Sequence, residues 1–152
     1  SSSAASDVYK RQLLKAEMPQ KLERYVQQAL TAYRKTRDTV RIFCDGEDVE
    51  LQPQQILYAE MSARKVCLHL QGADRALLYT TATMADLADL LENHGFVRTH
   101  KSVLVNMEHI RDLQSTRLYL RDGTELPVSS HTASAVRKIY TQWRSAKKWV
   151  IG

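Results

Sequence analysis

From Thr39 onward, apolar and polar residues alternate in short runs separated by turn residues. Val40, Ile42 and Cys44 fall on one side of a first run. Asp45-Gly46 is a hairpin-turn signal, and Val49 and Leu51 restart the alternation. Pro53 ends that second strand, because proline cannot donate to a ladder. Ile56–Met61 predicts a third strand. Val66, Leu68 and Leu70, alternating with Cys67, His69 and Gln71, predict a fourth. The connection Ser62–Lys65 carries Arg64 and Lys65 at its tip, and Ala76–Thr80 reads as a fifth strand. Thr83 to Asn93 predicts a helix. Thr83 caps it with Asp86 three residues on, and Met84, Leu87, Leu90 and Leu91 make its apolar face. Gly95 stands where a C-terminal cap belongs. Further strands are expected at Phe96–Thr99, Val103–Asn106, Ile110–Gln114, Arg117–Leu120 and Glu125–Val128, with Asp122-Gly123 turning the last hairpin. A final helix is expected from Thr132 to Arg144, with Ala135, Val136, Ile139, Tyr140 and Trp143 on its apolar side.

Many short strands with one helix in the middle and one at the end predict a mainly β fold rather than a doubly wound α/β fold. Ahead of this region, Leu22, Val26, Ala29, Leu30 and Tyr33 follow helical spacing after Pro19. Residues 19–36 therefore read as a linker or dimerisation helix. The opening SSSAASDVYKRQ has no apolar periodicity and resembles a translated adapter, so residues 1–12 are read as a non-native tail on a truncated piece. The expected organisation is this tail, a segment 13–37 holding the linker helix, one domain at 38–145, and a C-terminal tail at 146–152.

Composition narrows the class. A chain of 152 residues is about one domain, and 43% hydrophobic with 26% charged residues excludes wholesale disorder. No run approaches the ~18 apolar residues of a membrane span, and no signal peptide opens the chain. With only Cys44 and Cys67, a disulfide scaffold is excluded and a reducing, cytoplasmic location is expected. Charge is unevenly placed. Residues 1–37 carry a balance of +5, residues 38–95 one of −6, and residues 96–152 one of +6. A basic last third on an acidic middle suggests a surface that faces a polyanion.

Catalytic signatures are missing. There is no GxSxG elbow, P-loop, HExxH or dinucleotide glycine fingerprint. Cys67 and His69 share a strand face, but a zinc site usually takes four ligands and no second Cys/His pair has suitable spacing. His100 and Ser102 would also share a face if they lay on one strand. They lack an orienting acid or a readable oxyanion hole, so a hydrogen-bonding His at a strand end is the better reading. No enzyme, metal or cofactor is expected.

The informative stretch is Phe96-Val97-Arg98-Thr99-His100-Lys101-Ser102-Val103-Leu104-Val105-Asn106. Upstream lies Ile56-Leu57-Tyr58-Ala59-Glu60. Downstream lie Ile110, Asp122-Gly123 and Leu126-Pro127-Val128-Ser129. In this order and at these separations, the set resembles the LytTR family of DNA-binding domains over roughly residues 38–145. The resemblance implies an elongated set of short antiparallel β-sheets with small helices. It also implies binding of double-stranded promoter DNA through loops and strand ends that enter successive major grooves. Lys101 takes the family's Arg/Asn position and is the first candidate for a DNA contact, with Ser102 beside it. Arg64 and Lys65 fall in the loop after the Tyr58-Ala59-Glu60 strand, a second contact segment, with the register open by a residue or two. Ser129 and Ser130 match the end of the family's V-S-R segment, a third.

Here the chain departs from the pattern. Ser130 replaces an Arg that could bond guanine in bidentate fashion, so His131 or Arg137 compensates or base reading at that end is weaker. Arg98 is divided between a phosphate contact and a salt bridge. His100 and Asn106 are expected to satisfy backbone groups, and Tyr58 and Glu60 to pack and pair internally.

Leu13-Leu14-Lys15-Ala16 and the following helix resemble the end of a response-regulator receiver, with Ala16 in place of the usual Pro. That resemblance implies the output half of a two-component regulator, met by a sensor histidine kinase only through the missing receiver, and a homodimer where the receiver is present. The alternative reading is a protein-interaction or dimerisation module whose basic face is simply solvated.

Overall fold

The structure is a computed structural model that describes residues 38–151, with side chains through Lys148. The tail at 1–12, the receiver-like segment with Lys15 and the helix expected over 19–36 lie outside the described residues.

Among the described residues, ten strands form two antiparallel sheets. The larger contains β1 (Val40–Cys44), β2 (Glu47–Leu51), β3 (Ile56–Ser62), β4 (Lys65–Leu70), β5 (Leu77–Thr80), β6 (Phe96–His100) and β7 (Val103–Asn106). Its order is β2-β1-β5-β4-β3-β7-β6. The smaller contains β8 (Ile110–Leu113), β9 (Arg117–Leu120) and β10 (Glu125–Pro127), in the order β10-β9-β8. Helix α1 (Met84–Leu91) follows β5, and helix α2 (Ala133–Ile151) closes the described chain.

Local signals account for most boundaries. Asp45 (φ 50°) and Gly46 (φ 86°) both adopt left-handed backbone, the geometry that joins two strands by a two-residue turn. The Thr83 hydroxyl accepts from the Asp86 amide at 3.1 Å and starts α1. Gly95, at φ 83°, ends the short 3-10 turn Glu92–His94 that follows it. At the Asp122-Gly123 turn, the Leu120 amide donates to the Thr124 carbonyl at 2.9 Å and the Asp122 carboxylate accepts from the Thr124 amide at 2.9 Å.

Other elements pack on both faces of the large sheet, on the second face only over β3, β6 and β7. Against one face, α1 contributes Met84, Leu87 and Leu91 to a core with Val40, Ile42, Ile56, Leu68, Phe96 and Leu104. Against the other, the small sheet and α2 contribute Ile110, Leu118, Leu120, Leu126 and Val136 to a second core with Tyr58, Val97, Val103 and Val105. Strand β7 is buried at all four positions, which is why Val103-Leu104-Val105 is a continuous apolar run rather than an alternation.

Two helix faces differ from expectation. Leu90 is 40% exposed, so the core-facing stripe of α1 is Met84, Leu87 and Leu91. On α2, Ala135 and Ile139 face outward, while Val136, Tyr140 and Trp143 pack on the second core. Helix α2 also continues past Arg144 to Ile151, through residues expected to form a tail.

Candidate nucleic-acid interface

Three exposed segments lie side by side at one end of the large sheet. Register places them there. Ser62 pairs with Lys65 across the β3–β4 turn, so Ala63 and Arg64 form its tip. Glu60 pairs with Val103, and the Met61 amide donates to the Ser102 carbonyl at 3.0 Å, which sets the Lys101-Ser102 turn beside that tip. Strand β6 forms the sheet edge, and residues 127–132 run along it. The Ser129 amide donates to the Thr99 carbonyl at 2.7 Å, and the Thr99 hydroxyl donates to the Pro127 carbonyl at 2.9 Å.

Each expected contact residue has a definite place. Arg64 and Lys65 are exposed at the first segment, and Ala63 before them is held at φ 56°. Lys101 is exposed at the tip of the second. Arg98, on the outer side of β6, forms no salt bridge among the described residues. Its guanidinium donates to the Lys101 carbonyl at 2.6 Å and so braces the turn that presents Lys101. Ser102 is half-buried. His100 and Ser102 do not share a strand, contrary to one way of drawing them, because the turn separates them. The Ser102 hydroxyl donates to His100 Nδ1 at 2.8 Å, and the Ser102 amide donates to the same nitrogen at 3.2 Å. At the third segment, Ser130 and His131 are exposed, and the Ser129 hydroxyl accepts from the His131 amide at 3.3 Å. Arg137 stands apart on α2, where its guanidinium donates to the Leu113 carbonyl at 2.8 Å. The fold thus brings together Arg64, Lys65, Arg98, Lys101, Ser102, Ser129, Ser130 and His131, with Arg137 just beyond the third segment.

The remaining motif residues are structural. Asn106 is buried; its amide nitrogen donates to the Pro53 and Ile56 carbonyls at 3.2 and 2.9 Å, and its oxygen accepts from the Glu108 amide at 3.0 Å. His69 stacks on Tyr58, with ring centroids 4.1 Å apart, and its Nε2 donates to Glu60 at 2.8 Å. Cys67 and His69 therefore serve packing and pairing, and no metal-ligand cluster exists among the described residues.

Thr99 was not singled out from sequence. It is fully buried, yet three bonds from the third segment end on it: its hydroxyl to Pro127, and the Ser129 amide and Thr132 hydroxyl to its carbonyl. A threonine between Arg98 and His100 is the only local signal, and it says nothing of a partner 28 residues away.

The arrangement suits a long polyanion. Charged and hydroxyl groups stand on turns that a groove can admit, and they are braced by backbone bonds from behind. The model of the LytTr DNA-binding domain matches residues 46–141. Among solved structures, the chain is similar to the LytTr DNA-binding domain of a protein described as a methyl-accepting/DNA response regulator from Bacillus cereus. The TM-score is 0.57 at 23% identity, covering 68% of this chain and 96% of that one. No curated protein matches the chain.

Proposed function

The chain belongs to the LytTR family of DNA-binding domains, and from that membership we propose that it binds promoter DNA sequence-specifically as the output part of a bacterial response regulator in the cytoplasm. The reading is carried by the convergence of three turn segments at one sheet end, with Arg64, Lys65, Lys101 and His131 outermost. In the mechanism this implies, Lys101 and Arg64 or Lys65 enter adjacent parts of a groove. Arg98 keeps the Lys101 turn rigid, and Ser102 offers oxygen lone pairs because its hydrogen is held by His100. Ser129, Ser130 and His131 make the third approach. With serine in place of arginine there, discrimination at that end rests on single hydrogen bonds and is weaker.

The test is a titration against a randomised duplex pool, followed by sequencing of the bound fraction. Enrichment of a short motif repeated at about one helical turn supports sequence-specific binding. Salt-sensitive binding without enrichment limits the function to backbone contact, and no binding at low salt overturns the reading. Lys101→Ala should weaken binding and flatten the salt slope by about 1 if Lys101 meets a phosphate.

A protein-interaction module is the second reading. It is favoured by Phe43, Leu77 and Tyr79, which are 52%, 40% and 37% exposed on neighbouring strands β1 and β5. Loss of self-association or partner binding in Phe43→Ser, with no duplex affinity in the parent, would select it.

A further inference from the structure

A groove of about 390 Å³ lies between β8 and α2. Its cations are Arg111 from β8 and Arg137, Arg144 and Lys148 from α2. Positions 137, 144 and 148 fall on one face of the helix, at spacings of seven and four residues. Over those residues the helix advances about 16 Å. Among the described residues, none of the four cations has a carboxylate within salt-bridge distance, and the four ion pairs are elsewhere. The contrast on the same helix is Lys147, which points to another face and is paired with Glu108.

The groove's guanidinium groups are held by contacts that leave their charge unneutralised. Arg137 donates to a backbone carbonyl, Arg144 lies 5.5 Å over the Tyr140 ring, and Arg111 lies 5.9 Å over the Tyr119 ring. Asp112 is the one acid in the lining among the described residues, and its carboxylate accepts from the Gln114 side chain at 2.9 Å. Thr141 and Ser145 add hydroxyls between the cations.

Position relative to the three segments gives the groove its meaning. The segments succeed one another across the sheet from the β3–β4 turn to the β6–β7 turn to residues 129–131 at the edge. Helix α2 starts at Ala133, directly after the third segment, and Arg137 opens the groove. The Arg137 end of the groove therefore adjoins the third segment, and α2 runs on from there toward the Gly95 end of β6, where Trp143 packs.

We propose that this groove grips the sugar–phosphate backbone flanking the sequence read by the three segments, with Arg111, Arg144 and Lys148 as its phosphate contacts. The proposal rests on the DNA-binding reading above and extends the footprint beyond the turns. Arg137 both lines the groove and holds α2 to β8, so it is left unchanged in the test.

The experiment measures affinity for a 30-bp random-sequence duplex across a salt series. Arg111→Ala/Arg144→Ala/Lys148→Ala should lose three phosphate contacts and flatten the slope of log K against log salt by ~2.7; its loss of affinity between ~50 and ~200 mM salt should then be about 40-fold smaller than that of the parent. Arg111→Lys/Arg144→Lys keeps the charges and should keep the slope. Arg41→Ala, on β1 away from the groove, should leave it unchanged. A parental slope in the alanine variant overturns the groove proposal and leaves the DNA-binding reading standing. So does a comparable flattening by Arg41→Ala, or a loss of slope in the lysine variant. A parent that binds no duplex at low salt overturns both.

Discussion

At the scale of single residues, Asn106 and Ala63 show opposite ways of spending a side chain. Asn106 is 2% exposed and ties three backbone groups: the Pro53 and Ile56 carbonyls and the Glu108 amide. Asn106→Ala would strand them in a buried setting and should cost about 2–3 kcal/mol, read from urea denaturation. Ala63 does the reverse. It holds φ 56° at the tip of the β3–β4 turn, a backbone region that costs a residue with a Cβ about 1–2 kcal/mol. Ala63→Gly should raise stability by up to about 1 kcal/mol in the same assay, since glycine adopts that φ freely but loses more chain entropy on folding.

The choice of Arg64, Lys65 and Lys101 as candidate contacts came from the family resemblance, but their turn positions were legible because turn chemistry and strand alternation fix where a chain reverses. The roles of Arg98 and Thr99 were not. Arg98 could be drawn toward a phosphate or a carboxylate, and its actual acceptor is a carbonyl exposed only once the turn at Lys101 has formed. Thr99 depends on Pro127, which no local pattern places beside it. Thr99→Val keeps the shape and removes the hydroxyl donor. It should loosen residues 127–132 and lower duplex affinity more than it lowers the melting temperature, which separates a positioning role from a purely structural one.

At the scale of elements, strand boundaries were readable to within a residue or two because the period-2 alternation and the Asp-Gly turns agree. Strand order was not readable. The neighbours β1 and β5, or β3 and β7, are far apart in sequence, and nothing local selects them. The helix faces were half readable. Periodicity gathered Leu90 and Ile139 into apolar stripes, yet both are exposed, because a stripe of that width exceeds what the sheet beneath can cover.

The join between the two helices carries a sharper expectation. Gly95 is left-handed at φ 83°, and a Cβ there would lie 2.9 Å from Nε1 of Trp143 on α2. Gly95→Ala therefore meets two penalties, backbone strain and a clash, and should destabilise by about 2 kcal/mol or more. Trp143→Ala removes only the clash. In a double-mutant cycle followed by thermal melting, Gly95→Ala should cost less in the Trp143→Ala background than alone, with the remainder assigned to φ.

At the scale of the whole molecule, one sheet serves two cores, and each core encloses a titratable group that burial holds neutral. Cys44, fully buried beside α1, has its thiol pushed up from 9.0 to about 11, chiefly by burial and then by the Asp45 charge. Tyr58, in the second core, is pushed up from 10.0 to about 12, chiefly by burial and then by Glu60. Below pH ~9 both groups keep their protons folded or unfolded and add no pH dependence. Above it the unfolded chain releases the thiol proton while the folded chain retains it, so unfolding gains; the phenol repeats this between 10.0 and about 12. Stability should therefore fall as pH rises from about 9, and the loss belongs to both cores. Urea midpoints at about pH 8 and about pH 10.5 check this, with Cys44→Ala and Tyr58→Phe each removing part of the decline. Because β3, β6 and β7 contribute residues to both cores, the domain should unfold as one unit. The double variant should then remove the sum of the two parts within a single transition. Two separate transitions would mean that α1 with its core, and the small sheet with α2, come apart independently.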